Sequence, residues 1–216
     1  MRVSAFVDGF NLYHAVDALG QPHLKWLNLR TLCEQFAPRP QFDITGIYYF
    51  SAFATWLPDK YRRHREYVKA LKAVGVTPIM GKFKPRDREC LKCGHQWQHH
   101  EEKQTDVNIA LYLLLGAARD WYDRALLVTA DSDLVPAIQM VRQEFPNKRV
   151  QIIAPVGRKP CAELFNAAGG NECGHYMERS HIEQSLFGAA ILDSSRAVIA
   201  HRPCEYEPPP KQVPVA

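Results

Sequence analysis

Residues 2–11 read RVSAFVDGFN, an apolar run that ends in aspartate and glycine. Its first six residues have the composition of a short strand, and Asp8-Gly9 has that of the turn that ends it. A second apolar run, ALLVT, occupies residues 125–129 and is followed by Asp131 and Asp133. Acidic residues placed directly after apolar strands are typical of an α/β fold, in which polar functional groups gather beyond the carboxyl ends of parallel strands.

The rest of the sequence alternates predicted strands with predicted helices. Further strands are predicted at residues 44–53, 76–83 and 149–154, and helices at residues 11–18, 28–36, 58–73, 105–119 and 131–144, with shorter helices near 161–168 and 180–187. This alternation predicts a central parallel sheet covered by helices on both faces. We predict one domain over residues 1–187, an irregular insertion at about 84–100, and a proline-rich, irregular C-terminal extension over residues 188–216.

Length and composition are those of a single globular domain. The chain has 216 residues, of which 46% are hydrophobic and 23% charged, and this composition excludes wholesale disorder. Its apolar runs fall far short of the ~20 residues that a membrane span needs. Asp8 interrupts the apolar run near the amino terminus, so no secretory signal is expected. We therefore expect a cytoplasmic protein with no membrane partner.

Positive charge is concentrated in one segment. Residues 60–92 contain eleven Lys or Arg and three acidic residues, whereas the whole chain has a net charge of +4. Such a segment indicates a polyanionic partner such as nucleic acid. The candidate phosphate contacts are Arg62, Arg65, Lys69 and Lys72, spaced three or four apart on the predicted helix, together with Lys82 and Lys84. The alternative interpretation is a solvated helix face with no partner.

Four aspartates are predicted to reach one edge of the sheet. Asp8 follows the first strand, Asp131 and Asp133 follow the fourth, and Asp106 lies in the first turn of the helix that leads to the fourth strand. Carboxylates at close range repel one another, and a divalent cation removes that repulsion. Oxygen ligands suit Mg²⁺ or Mn²⁺. Each aspartate, taken singly, could instead be only a helix cap.

The predicted insertion contains a possible zinc site. Cys90 and Cys93 have the spacing of half a zinc ribbon, and His99 and His100 follow closely. We predict zinc ligation by both cysteines and one of these histidines, with the fourth ligand undetermined. The alternative is a turn whose cysteines are incidental. Disulfides are not expected in a chain without an export signal.

Several other functions lack the residues they need. The sequence has no Gly-x-Gly-x-x-Gly loop and no Walker A motif, which leaves dinucleotide and P-loop chemistry without support. The segment from His99 to Glu102 lacks the two-histidine spacing of a zinc protease. Phe53 and Trp56 could stack on nucleic-acid bases, although packing in the core is the simpler interpretation of both.

Three motifs together resemble the NYN domain family, and its bacterial LabA-like branch in particular. They are VDGFNL at residues 7–12, EKQTDV at 102–107 and TADSDLVP at 129–136. The resemblance implies a PIN-like, Rossmann-like three-layer α/β/α sandwich and a metal-dependent ribonuclease. It makes Asp8, Asp106, Asp131 and Asp133 the metal ligands and Asn11 the motif asparagine beside the first of them. Ala130 departs from the glycine that the family often has before Asp-Ser-Asp.

The sequence thus predicts a Mg²⁺- or Mn²⁺-dependent nuclease that acts on RNA. The catalytic set is Asp8, Asn11, Asp106, Asp131 and Asp133, and Thr129 and Ser132 are candidate supporting hydroxyls. A protein that binds RNA without cleaving it, or a scaffold that keeps the fold, is the alternative. No motif separates RNA from single-stranded DNA, because contacts to the 2′-hydroxyl leave no sequence signature here. The oligomeric state and the physiological substrate stay open.

Overall fold

The computed structural model describes residues 1–193 and 195–210. Within these residues the chain forms ten strands and seven α-helices. The strands are β1 (Arg2–Asp8), β2 (Asp43–Ser51), β3 (Thr77–Met80), β4 (Lys82–Glu89), β5 (Gln96–Lys103), β6 (Arg124–Val128), β7 (Arg149–Ala154), β8 (Gly174–Tyr176), β9 (Ala190–Leu192) and β10 (Val198–His201). The helices are α1 (Gly9–Asp17), α2 (Leu29–Phe36), α3 (Pro58–Ala73), α4 (Thr105–Ala118), α5 (Val135–Glu144), α6 (Ala162–Ala168) and α7 (Arg179–Glu183).

Six strands form the central sheet in the order β3-β2-β1-β6-β7-β8. Every neighbouring pair is parallel. The chain starts in the middle of the sheet, adds strands outward on one side, and then returns to the middle to add strands on the other. This reversal lies between β1 and β6, and the loops beyond their carboxyl ends diverge to leave a crevice.

Two hydrophobic clusters cover the two faces of this sheet. Along β1, Val3, Ala5 and Val7 pack in one cluster while Phe6 packs in the other, as the two-residue period of a strand requires. The first cluster includes residues of α1, α2 and α3. The second includes residues of α4, α5 and α6. The predicted three-layer α/β/α sandwich is confirmed.

Local signals in the sequence set the ends of several helices. The Asn28 side chain accepts hydrogen bonds from the Arg30 and Thr31 amides and thereby caps α2. Pro58 occupies the first turn of α3, where its missing amide hydrogen costs nothing. Gly75 follows the same helix with a φ of +76°, a left-handed conformation that glycine adopts without strain.

The predicted third strand was wrong in detail, and the predicted insertion at about 84–100 lies within an antiparallel hairpin. Residues 76–83 divide at Gly81 into β3, which belongs to the sheet, and β4, which pairs antiparallel with β5. A Cβ atom at residue 81 would lie 2.7 Å from the Lys103 carbonyl oxygen, so the chain can bend this closely only at a glycine. The β4–β5 hairpin is exposed along most of its length, and it therefore lacks the apolar period by which strands are recognised.

The C-terminal part contains more structure than the sequence indicated. β8 adds a sixth strand to the sheet, and β9 and β10 form a hairpin that packs against α3. Residues 204–206 form a short 3₁₀ turn within the segment predicted to be irregular, and residues 211–216 lie outside the described part. None of the helices in the described part has both the length and the hydropathy needed to cross a membrane.

Candidate metal centre and the adjoining cleft

Three of the four predicted aspartates converge at the crevice between β1 and β6. Asp8, Asp106 and Asp131 each offer one carboxylate oxygen, and these oxygens all lie within 4.8 Å of one another. Asp8 ends β1, Asp131 follows β6, and Asp106 is in the first turn of α4. We call these three residues the acidic cluster.

Asp8 is the most buried member of the cluster, with 3% of its surface exposed. Its side chain caps α1 by accepting a hydrogen bond from the Asn11 amide at 2.9 Å. Its second oxygen accepts one from the Thr129 hydroxyl at 3.0 Å. Burial raises the pKa of Asp8 to about 6, although these hydrogen bonds favour the ionised form.

Thr129 and Asn11 tie the loops of the site together. The fully buried Thr129 hydroxyl donates to Asp8 and accepts from the Asp131 amide at 3.1 Å, so that one hydroxyl positions two members of the cluster. The side-chain oxygen Oδ1 of Asn11 accepts a hydrogen bond from the Ala130 backbone amide at 3.2 Å. The Asn11 side chain therefore holds α1 against the loop after β6, and the Asn11 backbone amide fixes the Asp8 carboxylate.

Asp133 does not join the acidic cluster. Asp131 caps the 3₁₀ turn over Ser132–Leu134, and its carboxylate accepts a hydrogen bond from the Asp133 amide at 3.0 Å. The Asp133 carboxylate is not among the three that converge, but its charge helps to raise the pKa of Asp106, and its role as a metal ligand stays a prediction. The Asp133 side chain is exposed one step further round the turn.

Asp106 is held in place by a glutamate to which the sequence analysis gave no role. The Glu102 carboxylate accepts hydrogen bonds from both the amide and the hydroxyl of Thr105, the first residue of α4. This contact sets the start of the helix and with it the position of Asp106. The signal was present, because Glu102 opens the motif that contains Asp106.

The pKa of Asp106 is raised in part because other negative charges lie close to it. Desolvation, followed by the charges of Asp8 and Asp131, raises the pKa of Asp106 to about 6. Two carboxyl groups that resist ionisation in one crevice are costly for a folded protein unless a positive charge joins them. The all-oxygen donor set and the short separations fit a divalent cation such as Mg²⁺ or Mn²⁺.

Comparison with known proteins agrees with this geometry. The profile of the NYN domain matches residues 2–170, which is most of the chain. The chain belongs to the NYN domain family. NYN domains are generally nucleases, and this supports a hydrolase that acts on nucleic acid. The finer assignment to the LabA-like branch stays a prediction.

Two individual proteins resemble this NYN protein along most of its length. One is 6-hydroxy-3-succinoylpyridine 3-monooxygenase HspA of Pseudomonas putida, which is 27% identical over 232 residues, covering 89% of this chain and 70% of that protein. The other is a crystal structure of a protein of unknown function from Vibrio parahaemolyticus, with a TM-score of 0.56 and 19% identity, covering 86% of this chain and 96% of that one. At that identity the second likeness shows the fold alone.

The acidic cluster of this NYN domain lines a cleft of about 670 Å³ that is open to solvent. One wall is the base of the β4–β5 hairpin, including His99 and His100. Lys103 and Arg158 are the cations at this cleft, and neither was predicted from the sequence to contact nucleic acid. The Lys103 ammonium and the Arg86 guanidinium hold the pKa of the neighbouring Glu101 down to about 2.

The predicted basic stripe lies elsewhere. With 3.6 residues per turn, Arg62, Arg65, Lys69 and Lys72 occupy the exposed face of α3, opposite the face that carries Lys60, Arg63 and His64. Arg62 pairs with Glu205, and Lys69 pairs with Glu66. Lys82 and Lys84 are exposed on β4, outside the residues that line the cleft. Contact of this stripe with nucleic acid stays a prediction.

The predicted zinc ligands are not brought together. Cys90 and Cys93 lie in the turn at the tip of the β4–β5 hairpin, whereas His99 pairs with Arg86 midway along its strands. Four residues of strand separate these places by roughly 13 Å, and that distance excludes His99 and His100 as partners of the two thiols. Within the described residues no third ligand completes a group with the cysteines. Zinc binding by Cys90 and Cys93 themselves stays a prediction.

Proposed function

We propose that this NYN protein is a metal-dependent nuclease that hydrolyses phosphodiester bonds in RNA. The observation that carries the proposal is the convergence of Asp8, Asp106 and Asp131 at the point where the strand order reverses. A protein that only binds RNA gains nothing from buried negative charge facing phosphate. The acidic cluster therefore favours catalysis over the alternative of a non-catalytic binder.

Each residue of the site has a distinct part in this proposal. The three aspartates hold the divalent cation, and Asn11 and Thr129 keep two of them in position through the hydrogen bonds described above. A divalent cation held by these carboxylates would activate a water and neutralise charge on the phosphate. Lys103 and Arg158, at the same cleft, are placed to contact phosphate oxygens of the strand.

The direct test is cleavage of matched substrates. Labelled single-stranded RNA and DNA of one sequence are incubated with the purified protein in Mg²⁺, in Mn²⁺ and in EDTA. We expect cleavage of RNA in either metal, slower cleavage of DNA, and no cleavage in EDTA. Cleavage that persists in EDTA, or a complete lack of cleavage in both metals, would contradict the proposal.

The Pseudomonas relative suggests a second candidate, oxygenation of an aromatic ring. Its name assigns it a 6-hydroxy-3-succinoylpyridine 3-monooxygenase activity, and 89% of this chain aligns with it. This chain also has an apolar pocket beside the acidic cluster. Oxygen consumption with a nicotinamide reductant and that hydroxypyridine tests the candidate directly, and turnover without any nuclease activity would favour it.

Metal binding should depend on pH in a defined direction. Asp8 has a pKa of about 6 in the folded chain against 3.8 in the unfolded one. In the metal-free protein, the protonated form of Asp8 makes its full contribution to the free energy of unfolding below about pH 4. That contribution is lost as the pH rises through 6, because the buried carboxyl group then ionises. The metal requires the ionised form, so the increase in Tm caused by 5 mM MnCl₂ should be small at pH 5 and large at pH 7.5. An increase that is equal at both values would argue against binding at Asp8.

Thr129 provides a test of how the cluster is positioned. Thr129→Val keeps the shape of the side chain but removes the hydroxyl that contacts Asp8 and Asp131. Supporting contacts of metal ligands are worth about 10–100-fold in affinity, and we expect a Mn²⁺ affinity weaker by that factor, measured by calorimetry. Thr129→Ser should restore the affinity of the wild type. A Thr129→Val variant that binds Mn²⁺ normally would remove Thr129 from the site.

A further inference from the structure

A second, more enclosed pocket adjoins the acidic cleft. It has a volume of about 270 Å³ and lies between α1, the end of β2 and α3. Phe10, His14 and Phe83 line both spaces, so the pocket and the cleft are neighbours that share one wall. The pocket opens past Trp56 and Leu57, of which 37% and 36% are exposed.

Flat aromatic side chains form much of its wall. Phe83 packs edge-on against Phe10 at 5.6 Å and against Trp56 at 4.7 Å. Trp56 also stacks on His100 at 3.7 Å, and this contact fixes the indole at the mouth of the pocket. Tyr49 and Tyr67 lie further inside. Phe53, in contrast, packs against Tyr61 and His64, as its interpretation as a packing residue predicted.

The pocket also has polar groups in suitable positions. Tyr49 and His64 are hydrogen-bonded to each other at 3.2 Å. Burial lowers the pKa of His64 to about 4, so at neutral pH its ring is uncharged and carries one donor and one acceptor nitrogen. Lys60 and Arg63 line the same pocket from α3; Arg63 is paired with Glu205 at 2.9 Å, and Lys60 brings positive charge to the pocket.

We propose that this aromatic pocket binds the nucleobase of the nucleotide next to the cleaved phosphodiester bond. The inference rests on the proposed nuclease function and deepens it. The volume suits one ring system and the walls offer stacking surfaces. Because the pocket shares a wall with the cleft, a nucleotide whose base lies in the pocket would have its phosphate near the acidic cluster. A base can enter only when it is unpaired, so the preferred substrate is single-stranded.

A small aromatic acid is the competing occupant, because rings and cations would suit it as well. The shared wall of Phe10, His14 and Phe83 favours the nucleotide. That wall sets the space for a ring next to the site of phosphate chemistry, a proximity that a free aromatic acid does not need. The experiment therefore includes both kinds of ligand.

Binding of mononucleotides tests the pocket independently of cleavage. Uridine monophosphate contains no phosphodiester bond, and ribose 5-phosphate is its counterpart without a base. We expect the wild type to bind the nucleotide at least about tenfold more tightly than the sugar phosphate in calorimetry, because base stacking on aromatic side chains is worth that much. Equal affinity for the two, or binding of 6-hydroxy-3-succinoylpyridine alone, would overturn the proposal.

A variant that fills the pocket adds a matched control. Ala54 lines the pocket and is half-buried, so Ala54→Trp should remove the preference for the nucleotide. Ala73→Trp, at the exposed end of α3, should keep it. If Ala54→Trp binds the nucleotide as the wild type does, the base does not occupy this pocket.

Oligonucleotides with one abasic position extend the test to catalysis. Removing the base beside a scissile bond should slow cleavage there by about tenfold or more in the wild type and leave Ala54→Trp unaffected by the removal. If the wild type cleaves at the same rate with and without the base, the assignment of the pocket is overturned while the proposed nuclease function stands. Binding of the nucleotide by a protein that cleaves nothing would instead overturn only the nuclease proposal.

Discussion

Asp8→Asn is expected to abolish metal-dependent cleavage. Removing a contact that merely supports a metal ligand lowers metal affinity or activity by about 10–100-fold. Removing the charge of a buried ligand should therefore lower kcat by more than about 100-fold. The amide has the same shape and can still accept a hydrogen bond from the Asn11 amide. The fold should therefore persist, and initial rates on labelled RNA in Mn²⁺ measure the effect.

The same substitution should stabilise the metal-free protein. Burial and the neighbouring carboxylates oppose ionisation of Asp8, whose pKa is raised from 3.8 to about 6. At about 1.4 kcal/mol per pKa unit, neutralising this group at pH 7.5 relieves up to roughly 3 kcal/mol of the cost of folding. Loss of activity together with a higher Tm is the signature of a residue kept for its charge.

Asp43→Asn is the matched control for this prediction. Asp43 begins β2 at the opposite edge of the sheet and is exposed. The cleavage rate and the Tm of the Asp43→Asn variant should therefore equal those of the wild type. Normal cleavage by Asp8→Asn would remove the acidic cluster from the mechanism. Loss of activity accompanied by a lower Tm would indicate a structural role for Asp8 instead.

The sequence predicted the sheet and the acidic cluster because the signals for both are local. Apolar runs such as the one before Asp8 mark buried strands, and the rule that parallel strands end at one edge then gathers the residues that follow them. Asp106 could be placed because its helix leads directly into β6. The sequence could not place the Asp133 carboxylate relative to the other three, because the geometry of the turn after Asp131 decides its position.

Features that depend on distant parts of the chain were missed. The β4–β5 hairpin makes few apolar contacts, and its pairing therefore left no period in the sequence. That pairing carries His99 and His100 to the cleft and leaves Cys90 at the tip. The aromatic pocket is likewise assembled from α1, β2, α3, β4 and the C-terminal Tyr206. No single sequence motif could therefore predict it.

Gly9 explains why the motif at the end of β1 pairs aspartate with glycine. A Cβ atom at this position would lie 2.5 Å from the Phe50 carbonyl oxygen and 2.6 Å from the Tyr49 ring. The first of these neighbours is backbone of β2 and cannot move without shifting the sheet. Gly9 therefore permits α1 to begin against β2 directly after Asp8, and so fixes where the Asp8 carboxylate points.

Gly9→Ala is accordingly expected to lose both stability and activity. Alanine favours a helix over glycine by up to about 1 kcal/mol, but overpacking against fixed backbone costs up to about 3 kcal/mol, so the clash prevails. For a chain of this size, a net loss of about 2 kcal/mol lowers the Tm by roughly 4–8 °C, measured by calorimetry.

Gly188→Ala is the control for this substitution, because the nearest atom to its Cβ would be 3.8 Å away. It should leave the Tm and the cleavage rate unchanged. Asp8→Asn and Gly9→Ala, at adjacent positions, should thus move the Tm in opposite directions while both reduce cleavage. Opposite changes in Tm would distinguish the role of Asp8, which provides charge for metal binding, from that of Gly9, which leaves space for the backbone of β2. A Gly9→Ala variant with a Tm at or above that of the wild type would show that β2 yields to the added methyl group, and that the glycine is not what orients Asp8.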